Sequence, residues 1–167
     1  MFIREMNGDK LEIIETDDSF VYNALKERIF NQYKEHGCLI LAVDLDDTIR
    51  CFKSQTCDNT LTVIKTCQDI LNCITIIYTA NTNTEANVKF LTENKVHYDS
   101  INCYPDNFPI KKFKEEFDAA CKAGNPPPKL YYNILLDDKS CGLGVACDIL
   151  EELCLAVLEN KLPKEDF

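Results

Sequence analysis

Leu39-Ile40-Leu41-Ala42-Val43-Asp44-Leu45-Asp46-Asp47-Thr48-Ile49 runs from five apolar residues straight into acid. The apolar part, with Ile40 and Val43 β-branched, predicts a strand buried on both faces, the pattern of a central strand in a parallel sheet. Asp44, Asp46 and Asp47 follow within four positions, where the chain leaves the carboxyl edge of that sheet. Ligands of open α/β sheets bind in the crevice at that edge. Alternation along an extended segment sends Asp44 and Asp46 to one side and Leu45 to the other. Converging carboxylates repel unless a cation lies between them, and a hard, oxygen-seeking ion such as Mg²⁺ suits the pair. Acids after a strand are also ordinary turn and cap formers, so this stretch alone leaves both readings open.

A second stretch shifts the balance. Lys129-Leu130-Tyr131-Tyr132-Asn133-Ile134-Leu135-Leu136-Asp137-Asp138 repeats the design, an apolar strand ending in adjacent carboxylates. Parallel crossover connections bring successive strand tips to one edge, so Asp137 and Asp138 are expected beside Asp44 and Asp46. That many acids at one edge is costly without metal, which predicts a divalent-cation site.

The intervening chain reads as alternating strands and helices. Lys10 to Glu15 alternates weakly and predicts a short strand. Thr16 or Asp17 is placed to cap a helix over Ser19 to His36, which Gly37 ends. Asp58 is placed to cap a second helix with Leu61, Ile64 and Leu71 inward, and a strand spans Cys73 to Thr79. Thr79 then falls beside Asp44. Its hydroxyl and the amides of Ala80 and Asn81 suit the oxygens of a bound phosphate, or form an ordinary threonine turn. Helices over Thr84 to Asn94, with Ala86, Val88 and Leu91, and over Lys111 to Ala123 flank a short strand at Ser100 to Cys103. The last helix spans Val145 to Asn160, after a turn opened by Gly142 and Gly144.

The chain has 167 residues, which predicts one α/β domain: an N-terminal strand and helix over 1–37 and a core over 38–160. A formal charge of -10 argues against a general nucleic-acid binder, which needs a basic stripe. Ten cysteines occur without a Cys-x-x-Cys pair, and Cys38, Cys67, Cys73, Cys121 and Cys154 fall at apolar positions of strands and helices. That placement predicts mostly reduced thiols in a cytoplasmic protein. No run approaches the ~20 apolar residues of a membrane span, and residues 1–10 do not form a signal peptide.

Taken together, the strand ending in Asp44-Leu45-Asp46-Asp47-Thr48, the later strand ending in Thr79, a lysine further on and the strand ending in Asp137-Asp138 resemble the four motifs of the haloacid dehalogenase superfamily of phosphohydrolases. Tyr98 to Asn102 and Lys129 to Asp138 look like its small, minimal-cap branch. The resemblance implies a three-layer Rossmann-like fold with a mostly parallel sheet, helices on both faces and no separate cap. It implies Asp44 as nucleophile, forming an aspartyl-phosphate, and Asp46 as the acid that protonates the leaving alcohol and then the base that activates water. It implies Mg²⁺ held by Asp44, the backbone carbonyl of Asp46, and Asp137, Asp138 or both. Thr79 and a lysine would meet the phosphoryl oxygens. Lys129, just ahead of the last strand, is preferred, with Lys111 and Lys112 at a helix start as alternatives. Asp47 departs from the family, where many members have glycine, and its charge is expected to point outward.

The expected activity is Mg²⁺-dependent phosphomonoester hydrolysis. A phosphotransferase of the same fold, or a catalytically silent interaction protein, are the alternatives. A receiver-type phosphoacceptor domain shares the doubly wound layout, but Asp44 and Asp46 paired on one strand argue against it. An uncapped site suits a phosphorylated macromolecule, or a phosphorylated small molecule with a partner subunit of an oligomer excluding water.

Overall fold

The computed structural model describes residues 2–7, 10–15, 18–51, 57–140, 142–160 and 162, those up to residue 18 by backbone alone. Strand β1 (Phe2–Asn7) pairs antiparallel with β2 (Lys10–Glu15) in a two-stranded sheet of its own. The weak alternation of Lys10 to Glu15 signalled the second of these strands and not the first. Helix α1 (Asp18–His36) follows, and the positive φ of 62° at Gly37 ends it. Thr16 and Asp17, expected at its start, lie outside the described residues.

The remainder is a three-layer, Rossmann-like α/β domain. Strands β3 (Leu39–Val43), β4 (Cys73–Ile77), β5 (Ser100–Ile101) and β6 (Ile134–Leu136) form one parallel sheet in the order β5-β4-β3-β6. All five residues of β3 are buried, as a strand with neighbours on both sides and helices on both faces requires. Its alternation divides the core. Leu39, Leu41 and Val43 pack with residues of α1, α2 (Asp58–Ile70), α3 (Thr84–Glu93) and α5 (Leu143–Leu158), while Ile40 packs with Phe113 and Phe117 of α4 (Lys111–Lys122). Each fully buried aliphatic side chain there contributes roughly 1.5–3 kcal/mol relative to exposure.

Several boundaries differ from the sequence expectation, for local reasons. Cys57, not Asp58, is the N-cap of α2, which leaves the Asp58 charge in the first turn, where the helix dipole favours it. Asn83 caps α3 by accepting the Ala86 N–H at 3.1 Å, and the helix buries Asn87, Phe90 and Leu91 while Ala86 and Val88 face outward. Helix α5 begins at Leu143, two residues early, with Gly142 as its N-cap.

Two strands are shorter than their apolar runs because asparagine side chains replace the ladder. Ahead of β6, the Ile40 N–H donates to Asn133 Oδ1 at 2.6 Å, and the Asn133 N–H donates to the Ile40 carbonyl at 2.9 Å. Beyond β5, Asn102 turns the chain with a φ of 53°, and its amide bonds both backbone groups of Thr79, at 2.9 and 2.7 Å. Cys51 and Cys57 are joined in a disulfide, a pairing that the expectation of mostly reduced thiols did not foresee. Cys38, Cys67, Cys73, Cys103, Cys121, Cys147 and Cys154 are free thiols. Among the described residues no helix is long and apolar enough to cross a membrane.

Asn133 is 5% exposed, so removing its side chain leaves the buried Ile40 N–H without its acceptor. Asn133→Ala is expected to cost about 1–3 kcal/mol in denaturant unfolding. A loss within a few tenths of a kcal/mol would show that water or a shifted backbone replaces the bond.

Candidate active site

The strand order reverses at β3: the chain moves outward through β4 and β5, then returns to place β6 on the other flank. The crevice of an open α/β sheet forms where such a reversal occurs. The ladder sets the acids level with one another. The Asp44 N–H donates to the Leu136 carbonyl at 2.9 Å, and Tyr78 donates to the Val43 carbonyl at 2.8 Å, so Asp44, Asp137 and Thr79 emerge side by side.

Carboxylate oxygens of Asp44, Asp137 and Asp138 lie within 4.8 Å of one another. Asp44 and Asp137 are half-buried and Asp138 is exposed. Burial holds the Asp44 carboxyl above its ordinary range; the Leu45 amide opposes this, Asp137 adds to it, Lys139 opposes it and Asp138 adds to it. Three hard oxygen donors in a half-buried cluster fit a divalent cation of the Mg²⁺ type.

The two acid-bearing loops are fastened together. Thr48 is fully buried, and its Oγ1 accepts the Asp138 N–H at 2.9 Å. Asp137 is set by its own turn, where its Oδ1 accepts the Lys139 N–H at 2.8 Å and its carbonyl accepts the Ser140 hydroxyl at 2.7 Å. Asp47 has a φ of 64° and is exposed, so its charge points outward as the turn demands.

Asp46 stands apart from the three-carboxylate cluster. Its Oδ1 accepts Arg50 Nε at 2.8 Å and Nη2 at 2.5 Å, and its Oδ2 accepts Asn81 Nδ2 at 3.2 Å. Thr79 is buried, and its hydroxyl accepts the Asn81 N–H at 3.1 Å, so of the two amides foreseen for phosphate that of Asn81 is engaged in a threonine turn. Ala80, beside it, is exposed.

The lysines foreseen for phosphate lie elsewhere. Lys129 precedes β6, on the side where that strand enters the sheet, and its Nζ stands 5.7 Å from the centroid of Tyr132. Lys111 and Lys112 open α4, whose preceding residues Pro109 and Ile110 line a cavity with Cys38, Ile40 and Asn133 at the amino edge. Lys112 pairs there with Glu116 at 3.9 Å. Among the described residues the cation whose charge acts on Asp44 is Lys139, directly after the second acid pair. Sequence reasoning passed over Lys139, Thr48 and Arg50. Lys139 and Arg50 were legible only as charges close behind an acid pair, and Thr48 as a hydroxyl following one.

No family model matches the chain, and neither do any curated proteins or solved structures.

The raised Asp44 group has a stability consequence whose sign is fixed. Below the unfolded carboxylate value of about 3.9 both states are protonated and Asp44 is neutral to stability. As pH rises through the folded value, burial penalises the charged form and stability is lost. Asp44→Asn, measured with chelator present, is therefore expected to raise Tm at pH 7 by about 2–4 °C. The gain should vanish as pH falls toward about 3.5. A difference that does not change with pH contradicts this account of the cluster.

Proposed function

We propose that this protein is a Mg²⁺-dependent phosphomonoester hydrolase of the haloacid dehalogenase type, in its minimal-cap branch, working through an aspartyl-phosphate at Asp44. The observation that carries this reading is the meeting of Asp44, Asp137 and Asp138 within 4.8 Å at the carboxyl edge of a parallel sheet, with Asp46 held separately beside them. A site built only for cation binding has no need of a fourth carboxylate kept out of the cluster and oriented by its own partners.

In the proposed reaction a carboxylate oxygen of Asp44 attacks phosphorus and the P–O bond to the alcohol breaks. Asp46 gives its proton to the departing oxygen. Water then attacks the phosphorus of the aspartyl-phosphate, Asp46 takes the water's proton, and inorganic phosphate leaves with Asp44 restored. Lys139, whose charge already acts on Asp44, meets the phosphoryl oxygens in place of the lysines at the amino edge. The Thr79 hydroxyl lies at the same strand ends, and because it accepts the Asn81 N–H its own proton remains free to donate to a phosphoryl oxygen. Asp44, Asp137, Asp138 and the Asp46 backbone carbonyl would hold Mg²⁺, which when bound offsets repulsion between the nucleophile and the phosphate dianion.

The substrate class is a phosphorylated small molecule or macromolecule. A net charge of -10 disfavours nucleic acid. The seven thiols that are free among the described residues, against one disulfide, support a cytoplasmic setting.

Hydrolysis of p-nitrophenyl phosphate by the purified protein is expected to require Mg²⁺ and to fall by at least about 10³-fold in Asp44→Asn. Turnover that survives this substitution overturns the mechanism. Lys139→Met is expected to lower kcat/KM by about 10- to 100-fold, as loss of a charge-assisted contact to the phosphoryl group requires. The corresponding change at Lys129 should leave kcat/KM within about twofold, since Lys129 has no contact to the site to lose.

A further inference from the structure

We propose that Arg50 is a positioning residue that holds the Asp46 carboxylate for the water-activating half of the reaction, an inference that rests on the phosphohydrolase reading above.

The support is geometric. The chain doubles back after Leu45: the Arg50 N–H donates to the Leu45 carbonyl at 2.8 Å, and the Arg50 carbonyl accepts the Asp47 N–H at 2.8 Å. This turn lays the Arg50 side chain alongside Asp46 and against α3, with the guanidinium carbon 5.5 Å from the centroid of Phe90. Nε and Nη2 both point at one carboxylate oxygen, Asp46 Oδ1. The other oxygen is taken by Asn81, which is itself fixed: its Oδ1 accepts the Asn83 N–H at 2.9 Å and its carbonyl accepts Asn87 Nδ2 at 3.1 Å. Asn87 is fully buried, so the chain of bonds is rooted in the core.

The exposures of the pair are unequal. The Arg50 side chain is 12% exposed and that of Asp46 is 44% exposed. An exposed ion pair between two long, mobile side chains contributes little. Here the cation is confined between a loop and an aromatic ring, and the carboxylate it grips is partly open to solvent at the carboxyl edge of the sheet. The buried member holds and the open member is held. Gripping Oδ1 from one flank and Oδ2 from another fixes the plane of the carboxylate, which is what a base must have to meet a water aimed at phosphorus. Arg50 contacts neither the cluster of Asp44, Asp137 and Asp138 nor Thr79 by any hydrogen bond in the structure, so it acts through Asp46.

The test uses full-length wild type, Arg50→Met, Arg50→Lys, Asp46→Asn and the Asp46→Asn/Arg50→Met double variant, with p-nitrophenyl phosphate as substrate. Its leaving group departs without a proton, so phosphorylation of Asp44 proceeds and hydrolysis of the aspartyl-phosphate becomes the slow step. Arg50→Met is expected to lower kcat about 10²-fold and KM with it, leaving kcat/KM within about threefold of wild type, because only the step after phosphorylation is slowed. Acid-quenched protein should then show a larger phosphorylated fraction by intact mass than wild type. Arg50→Lys should recover part of the loss, because an ammonium restores the charge without the two-pronged grip. The double variant should be no slower than Asp46→Asn alone, as residues acting through one group are not additive. Additive losses, or a rise in KM at constant kcat, overturn the assignment and make Arg50 a direct phosphate ligand or a purely structural residue. A wild type that shows no Asp44-dependent turnover overturns the phosphohydrolase reading itself, and the catalytic role of Arg50 with it.

Discussion

Carboxylates that repel one another are forced together where β3 and β6 end, and the arrangement of this domain follows from containing that repulsion. Asp44 cannot move away, because its N–H is committed to Leu136 and its strand is buried along its whole length. Asp138 cannot swing out freely, because its N–H is committed to a hydroxyl buried at Thr48. Apolar burial of β3 and its neighbours supplies the energy, and the ladder converts it into a fixed separation of charges. Protein sites that keep such a cluster retain stability that a bound cation would raise, since an ion that binds only the folded state shifts the folding equilibrium toward it.

The ends of the sheet are finished in a way that serves this constraint. At the amino edge Asn133 supplies the acceptor that a further residue of β6 would have supplied, and at the carboxyl edge Asn102 does the same for Thr79. A side-chain amide carries a carbonyl acceptor and N–H donors like those of a peptide group, so it can end a strand without leaving a buried N–H unpaired. The difference is freedom: once the ladder passes to a side chain, the backbone can turn, as the positive φ at Asn102 shows. Short strands are thus compatible with a full set of bonds, and the loops at the acid edge can begin close to the carboxylates.

Much of this was legible in the residues. The apolar run of Leu39 to Val43 followed by acid, and its echo at Ile134 to Asp138, placed a parallel sheet and its acid edge correctly, because burial on two faces leaves a continuous apolar signature that needs no tertiary information. The lysines were not legible. Lys129, Lys111 and Lys112 were selected by their order along the chain, whereas the connection from β5 to α4 carries the chain back to the amino edge before α4 starts, beside Cys38 and Ile40. Order along a sequence does not encode which edge a loop returns to. Arg50 was passed over for a related reason: its side chain is defined by Asp46 four residues away and by Phe90 forty residues away, and only the first is visible without the fold. The Cys51 and Cys57 bridge is local, six residues apart, but it depends on a turn in which the Cys57 N–H donates to the Ile49 carbonyl at 3.1 Å, and cysteine spacing alone does not show that turn.

The distribution of positive charge is the last step. The chain carries 18 lysines and arginines against 28 aspartates and glutamates, so cations are scarce enough that their placement at the acid edge is informative. Among the described residues Lys139 and Arg50 lie there, and they differ in kind. Lys139 is exposed and lies on the turn of the second acid pair, a compact ammonium on a flexible stem. Arg50 is confined, planar and already committed to Asp46. A lysine at 50 could not hold one carboxylate oxygen with two N–H groups of a fixed fork as Arg50 does. The edge therefore separates into a half that gathers negative charge, at Asp44, Asp137 and Asp138, with Lys139 beside it, and a half in which Arg50 and Asn81 hold a single carboxylate, that of Asp46.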